Sequence, residues 1–373
     1  MKHRSVVWRS AGALVLAVVL VGCVRPRPAT SALSLTRVLT LPGVRATRPD
    51  VGVPGRIDHL GYDPVTQRLF VAALENGSVE VIDLVAGRRI RSLTGLSRPQ
   101  GIAVVASTGC AAVACGGDGV LHVFDTHSLQ ELKSFVVGDD ADNVRYDAKA
   151  DEVYVSYGGT NGGAIAVFEP HGWKRLREIP FASRPESFQL DPAGGRLFAN
   201  LPRGVRAIED GAVAIANRQS ATVEKLIPLA GIARNFPMSF DAAHDRAFVA
   251  SRRPARLLVI DTRRGVVTGA VPCTDDSDDL FYDAATSQVF VIAGGFRPDL
   301  QAPGAASPRS LPGEMGALDV FSVGVKGELT WRESVPTARH ARTGLFVPGR
   351  RTIYIAVSFH GEREAEIREY GIN

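Results

Sequence analysis

The chain has only four cysteines among 373 residues. Cys110 and Cys115 fall on one predicted strand, where five residues of extended backbone hold them about 16 Å apart, far beyond disulfide reach. Cys273 ends another strand unit and Cys23 belongs to the N-terminal segment, so the cysteines make no framework, and the three body cysteines read as isolated buried thiols. Nor is there a long polar tract of the kind that keeps a chain disordered. No charge of one sign dominates. The formal total is +4, and Lys2, Arg4 and Arg9 lie in a leader without acids, which leaves the rest near +1. A near-neutral body gives no electrostatic footing for nucleic acid, which is excluded as a partner. No Ser-His-Asp or Cys-His spacing is present, and the glycine pairs Gly158-Gly159 and Gly162-Gly163 read as hairpin loops with no helix behind them to cradle phosphate.

The leader is a processing signal. A basic stretch is followed by the apolar run Ala11 to Val21, too short for a comfortable membrane span, and then by Leu20-Val21-Gly22-Cys23. This resembles the lipobox of bacterial lipoproteins, which implies cleavage before Cys23 and lipidation of its thiol. The expected organisation is a signal peptide at 1–22, a lipidated Cys23 with a proline-bearing tether at 23–33, and one domain at 34–373. Val24 after the cysteine resembles the signal for outer-membrane sorting, so the expected address is the cell envelope, facing the periplasm, with the lipid bilayer as a partner through Cys23.

The body is built on one recurring stretch, Arg56 to Leu93. RIDHLGYD runs to a D-P-V-T turn, RLFVAAL alternates into the Asn76-Gly77 hairpin signal, SVEVIDL follows, and RRIRSL ends the unit as an exposed strand. A four-stranded meander cannot bury its apolar face alone and has to stack on copies of itself. The copies open at RIDHLGYD, RPQGIAVV, DADNVRYD, RPESFQLD, RNFPMSFD, DSDDLFYD and ARTGLFVP, which places the third position of each at 58, 100, 142, 186, 236, 278 and 343. Seven units, most of them near 42 residues, predict an all-β, seven-bladed β-propeller of four-stranded antiparallel blades. The last unit has three strands. Leu35 to Leu41 matches a fourth strand with no first three before it, so this N-terminal strand is expected to join the last blade and close the ring.

The pairs RLFVAAL with VEVIDL, EVYVSY with IAVFEP, and RAFVAS with LLVIDT resemble the YVTN-type, surface-layer-like propeller repeats. That resemblance implies the architecture and no particular activity. One departure is the insertion Arg297 to Gly316 in the sixth unit, rich in Pro, Gly and Ser.

Propeller topology brings the start of every first strand to one mouth of the central channel. The candidate ligand-binding residues arriving there are Asp58, His59, Arg98, Gln100, Asp142, Asn143, Arg184, Glu186, Arg234, Asn235, Asp278, Asp279 and Arg342. Asp63, Asp147, Asp191, Asp241 and Asp283, and likewise Asp83, Asp125 and Asp261, read as turn formers on the opposite face. Arg252-Arg253, with Arg203 and Arg206, reads as solvated loop charge. Two functions are compatible with the mouth. The first, which the residues favour, is a binding or scaffold module for a protein or small molecule. The alternative is a metal-dependent hydrolase or lyase: lactonase propellers resemble this architecture, which implies calcium held by Asn143, Glu186, Asn235 and Asp278 with Asp58 or His59 as base. Like-charge crowding by Asp276 and Asp279 predicts that Asp278 is the cheapest mouth acid to neutralise.

Overall fold

In the computed structural model the described residues are 1, 31–45, 55–159, 162–203, 209–295 and 315–373. Cys23, Arg206 and nearly all of the insertion at 297–316 lie outside them. The chain forms seven four-stranded antiparallel sheets. Each follows the sequence reading: in blade 1 the strands are Leu60–Asp63, Arg68–Ala73, Ser78–Asp83 and Arg88–Thr94, paired in chain order. First strands contact one another from blade to blade around the whole circle, and seven hydrophobic clusters fill the seven junctions between blades. The second and third strands are buried on both faces, which is why RLFVAA and VEVI are apolar almost throughout: Leu69 packs toward blade 7 while Phe70 packs toward blade 2.

The turns follow from local chemistry. Asp63 Oδ1 accepts from the Val65 amide at 2.9 Å and Asp83 Oδ1 from those of Val85 and Ala86, with the same arrangement at Asp125, Asp147, Asp191 and Asp283. Asp261 accepts from the Arg264 amide, and Asp241 is held by His244 Nδ1 at 2.7 Å. The final residue of each of the seven first hairpins, such as Gln67, Gly109 and Asp151, has positive φ. A β-bulge recurs between third and fourth strands, as at Val81/Ile82 and Val259/Ile260.

Fourth-strand cations latch neighbouring blades. Arg37 Nη1 donates to Leu84 O, Lys133 Nζ to Gly172 O, Arg177 Nε to Arg218 O and Lys225 Nζ to Arg264 O, each on the following blade's last turn. Cys110, Cys115 and Cys273 are buried.

The ring closes as the sequence implies. Leu33–Leu41 pairs antiparallel with Ala365–Ile372, giving blade 7 its fourth strand from the other end of the chain. The strand begins at Leu33, two residues ahead of the matched segment, and its first residues lie at the end of the blade away from the mouth. Blade 7 carries one correction. The Ala356 amide bonds to Thr343 O as the Ala72 amide bonds to His59 O, so Arg342, and not Thr343, is the counterpart of Asp58. The match ARTGLFVP is one residue out of phase because this blade lacks the acid that ends most first strands.

Leu33, Leu39 and Leu41 are buried; at about 2 kcal/mol each they approach the whole stability of an ordinary domain. Deleting residues 24–42 is expected to abolish cooperative unfolding or cause aggregation, while deleting only 24–31 leaves the melting temperature unchanged. Equal melting temperatures for the two truncations would contradict ring closure.

Candidate functional site

The amides of Asp58, Asp142 and Glu186 each donate to a second-strand carbonyl, of Ala72, Ser156 and Asn200 respectively. The same backbone position is held by Gln100, Phe236, Asp278 and Arg342 in the other blades, so one side chain from every blade reaches the channel mouth. The charges gathered there sort into three groups.

Between blades 3 and 4, Arg184 serves three carboxylates: Asp140 in a short contact, Asp142 at 2.9 Å and Glu186 at 3.5 Å. One guanidinium does not neutralise three acids. Burial raises the Asp142 carboxyl above its ordinary value although Arg184 and His59 oppose this. Burial likewise lifts Glu186, and with Asp142, Asp278 and Asp140 nearby it is pushed up to about 7 against the pull of Arg184. Arg184 itself is raised, its burial outweighed by these acids.

Across blades 5 to 7, Asp276 and Asp278 lie between two arginines. Arg252 Nη1 is 3.3 Å from Asp276 and its Nη2 is 2.5 Å from Asp278; Arg342 Nη1 is 3.1 Å from Asp276 and its Nε 2.9 Å from Asp278. Burial would raise Asp278, but Arg252, Arg342 and Arg56 hold it below the usual carboxylate value. Asp278 therefore sits in the best compensated position at the mouth, which overturns the expectation that it is the cheapest acid to neutralise. The crowding by Asp276 and Asp279 is real, but Asp276 shares the two arginines and Asp279 turns to His59.

Joining blades 6 and 1, His59 Nδ1 is 3.3 Å from Asp279, its Nε2 is 3.8 Å from Asp58, and Arg56 adds a 3.3 Å contact to Asp58. The Gly344 amide donates to the same Asp279 oxygen at 2.9 Å. Burial works against the imidazolium, yet Asp279, Asp58 and Asp142 outweigh it and raise His59 to about 10. A histidine that stays protonated through the neutral range is a charged spacer between acids and a poor general base.

The remaining expected residues serve the scaffold or stand apart. Gln100 Nε2 donates to Asp140 and to Ala141 O. Asn143 accepts from Arg145, and Asn235 is wholly buried, donating to Asn200 and to Ala212 O. Arg234 lies over the Phe236 ring at 5.9 Å. Arg98 has its Nε buried without a partner, and no carboxylate pairs with it among the described residues. Of the four expected calcium ligands, Asn143 is bonded to Arg145, Asn235 to Asn200 and Ala212, Glu186 lies 3.5 Å from Arg184, and Asp278 is held by Arg252 and Arg342. No group of three or more His, Cys, Asp or Glu side chains among the described residues is placed to hold a metal ion.

Three mouth residues escape the sequence reading. Arg252 is buried at 5 % exposure and ion-paired, contrary to its reading as solvated loop charge. It arrives on a second strand, Arg246–Arg253, whereas the expected mouth residues lie at the starts of first strands. Its guanidinium stacks on Phe236 at 4.3 Å. Phe236 takes the place of an acid, and Arg145 lies deeper in the channel over Phe188 at 5.5 Å, its guanidinium pulled below the ordinary value by burial despite Asp279 and Asp142. The residue opening the mouth has positive φ at Arg98, Asp140, Arg234, Asp276 and His340, a costly backbone for residues with side chains.

No protein-family model matches the chain, and no curated protein matches it. Solved structures do. A chain of Kuenenia stuttgartiensis hydrazine synthase superposes with a TM-score of 0.70 at 16 % identity, covering 88 % of this chain and 99 % of that one. A chain of a mitotic checkpoint complex gives 0.68 at 13 % identity, covering 96 % and 99 %. At such identities the likeness shows the propeller fold alone.

Asp278→Asn is expected to cost about 3–4 kcal/mol in urea unfolding because two buried arginines lose a partner, whereas Asp142→Asn is expected to stay within about 1 kcal/mol, since Arg184 keeps Asp140 and Glu186 and the crowding of the acids is relieved. A gain in stability for Asp278→Asn would contradict the pairing. Glu186 and His59 both bind protons more tightly in the folded state, so stability falls as pH rises. The share of Glu186 is lost between 4.5 and about 7 and that of His59 between 6.5 and about 10. Glu186→Gln should flatten the lower window of a stability-against-pH curve and His59→Asn the upper one; unchanged slopes would refute these protonation states.

Proposed function

We propose that this protein is an exported, lipid-anchored binding propeller that uses the mouth of its channel to receive a polar, acceptor-bearing ligand, either a small molecule or a loop of a protein partner. The observation that carries this reading is Arg98. It stands at the mouth in the left-handed backbone region, half-buried, with its Nε unpartnered and no carboxylate pairing with it among the described residues, while the arginines of the neighbouring groups are matched to acids. A guanidinium in such a place is completed by an acceptor brought from outside. Beside it the ion pairs act as a rigid frame, and Phe236 with Arg234 and Arg252 on its ring supplies a flat wall.

The repeats resemble the YVTN-type family and the leader resembles a lipoprotein signal, which supports an extracytoplasmic address with the lipid on Cys23. Leu33 enters blade 7 at the end opposite the mouth. No helix of the described residues is long and apolar enough to cross a membrane, so Cys23 carries the attachment in this reading.

Cys23→Ser is expected to move the protein from the membrane fraction to the soluble one, and retention in the membrane would mean another anchor. For the mouth, a thermal-shift screen of mono- and dicarboxylates should find compounds that stabilise the native protein and not Arg98→Ala, whose own melting temperature stays close to that of the parent. Calorimetry with calcium should give no saturable heat. A saturable calcium site, or ligands indifferent to Arg98, would remove this reading.

A further inference from the structure

On the face opposite the mouth a cavity of about 460 Å³ opens between blades 3 and 4, lined among others by Asp147, Lys149, Glu152, Arg177, Arg218 and Gln219. It exists because of two local departures from the repeat. The turn after the first strand of blade 4 is Asp191-Pro192-Ala193-Gly194-Gly195. Where other blades place Thr66, His244 or Thr286 to bond the turn aspartate, this one has Gly194. Both glycines have positive φ, and a Cβ at either would meet nothing within 4 Å. The second departure is Arg218, which occupies the position held by Leu84, Thr126, Pro170, Thr262 and Val323 in other blades. It is 5 % exposed.

A buried guanidinium is costly unless its donors are used. Arg218 Nη2 bonds to Asp147 in a short contact and its Nε to Tyr154 Oη at 2.9 Å; no partner is found for Nη1 among the described residues. The acids are already committed. Glu152 takes both terminal nitrogens of Arg177, at 2.7 and 2.6 Å, and the second Asp147 oxygen accepts the Lys149 and Ala150 amides. Burial would raise both carboxyls, but these hydrogen bonds hold them below the usual value, so both stay charged. The donors left over are Arg218 Nη1, the Lys149 ammonium and the Gln219 side-chain amide, while the carboxylates are spent. Three cations stand against two anions.

We infer that this cavity is a second ligand site, for a phosphate-bearing group. Spare donors from two turns of two blades suit a group with several acceptor oxygens and a net negative charge. The site is separate from the mouth and independent of what the mouth binds. The phosphate belongs either to a soluble small molecule or to a lipid headgroup, since both present the same oxygens.

The test uses the full chain carrying Cys23→Ser, which has no lipid of its own, titrated calorimetrically with inorganic phosphate and floated with phosphatidylglycerol vesicles. Saturable phosphate binding is expected, weakened about tenfold in Lys149→Glu and in Gln219→Glu. Both side chains are exposed on turns, so the melting temperature should hold. Vesicle binding with the same dependence and no heat from free phosphate supports the site with a headgroup as its source. Absence of both signals overturns the inference, and so does binding that neither variant weakens.

Discussion

Closure of the ring is the constraint on which the rest depends. Each blade buries both faces of its middle strands, so each needs a neighbour on either side, and seven blades satisfy this only when the last meets the first. The pairing of Leu33–Leu41 with Ala365–Ile372 makes that meeting with strands from both ends of the chain and removes the edge that blade 7 would otherwise present. The latches from Arg37, Lys133, Arg177 and Lys225 are secondary: each is a single charge-assisted bond at a partly exposed position, worth little beside a junction of a dozen buried side chains.

A closed ring forces a polar problem at its axis. The starts of seven first strands have to come together, and their side chains cannot all be apolar without sealing the channel or all be acidic without repelling. The solution is asymmetric. Blades 5 to 7 balance two acids with two arginines, blades 6 and 1 insert a charged histidine between acids, and blades 3 and 4 leave three acids to Arg184. The under-compensated quarter is where Glu186 titrates near neutrality.

Fold and site were not equally legible in the sequence. The blades were readable because each depends on local signals that repeat: an aspartate turn, an alternating second strand, a glycine or its substitute before the bulge. Ring closure was readable for the same reason, since Leu35 to Leu41 is recognisably a fourth strand. The one slip in register, at Arg342, falls where the first strand of blade 7 ends in Val347 instead of an aspartate and the local marker is missing. Site residues were readable when they arrived on first strands, as Asp58, Asp142 and Glu186 did. Arg252 was not, because its role comes from packing between blades 5 and 6. Its burial against Phe236 and its two acid partners are long-range facts that no window of sequence contains.

The same distinction explains why the two faces differ in character. On the face of the hairpin turns, the aspartates accept amides of their own turns in a repeated pattern, with added pairs to the next blade at Asp147–Arg218 and Asp283–Arg351, and a departure such as Gly194-Gly195 or Arg218 stands out against six other blades. At the mouth, charge is shared between blades, and every residue is conditioned by neighbours forty or more positions away. A substitution on the turn face therefore perturbs one turn and at most its pair on the next blade, whereas one at the mouth redistributes charge through a whole group. Arg184 illustrates this: its contacts with Asp140, Asp142 and Glu186 couple the ends of two blades, so an anion or cation entering near it changes the protonation of Glu186 as well as the pairing. An ion taken up there, as the proposed reading has it, would be linked to proton uptake or release, with Glu186 as the group that has room to respond near neutrality.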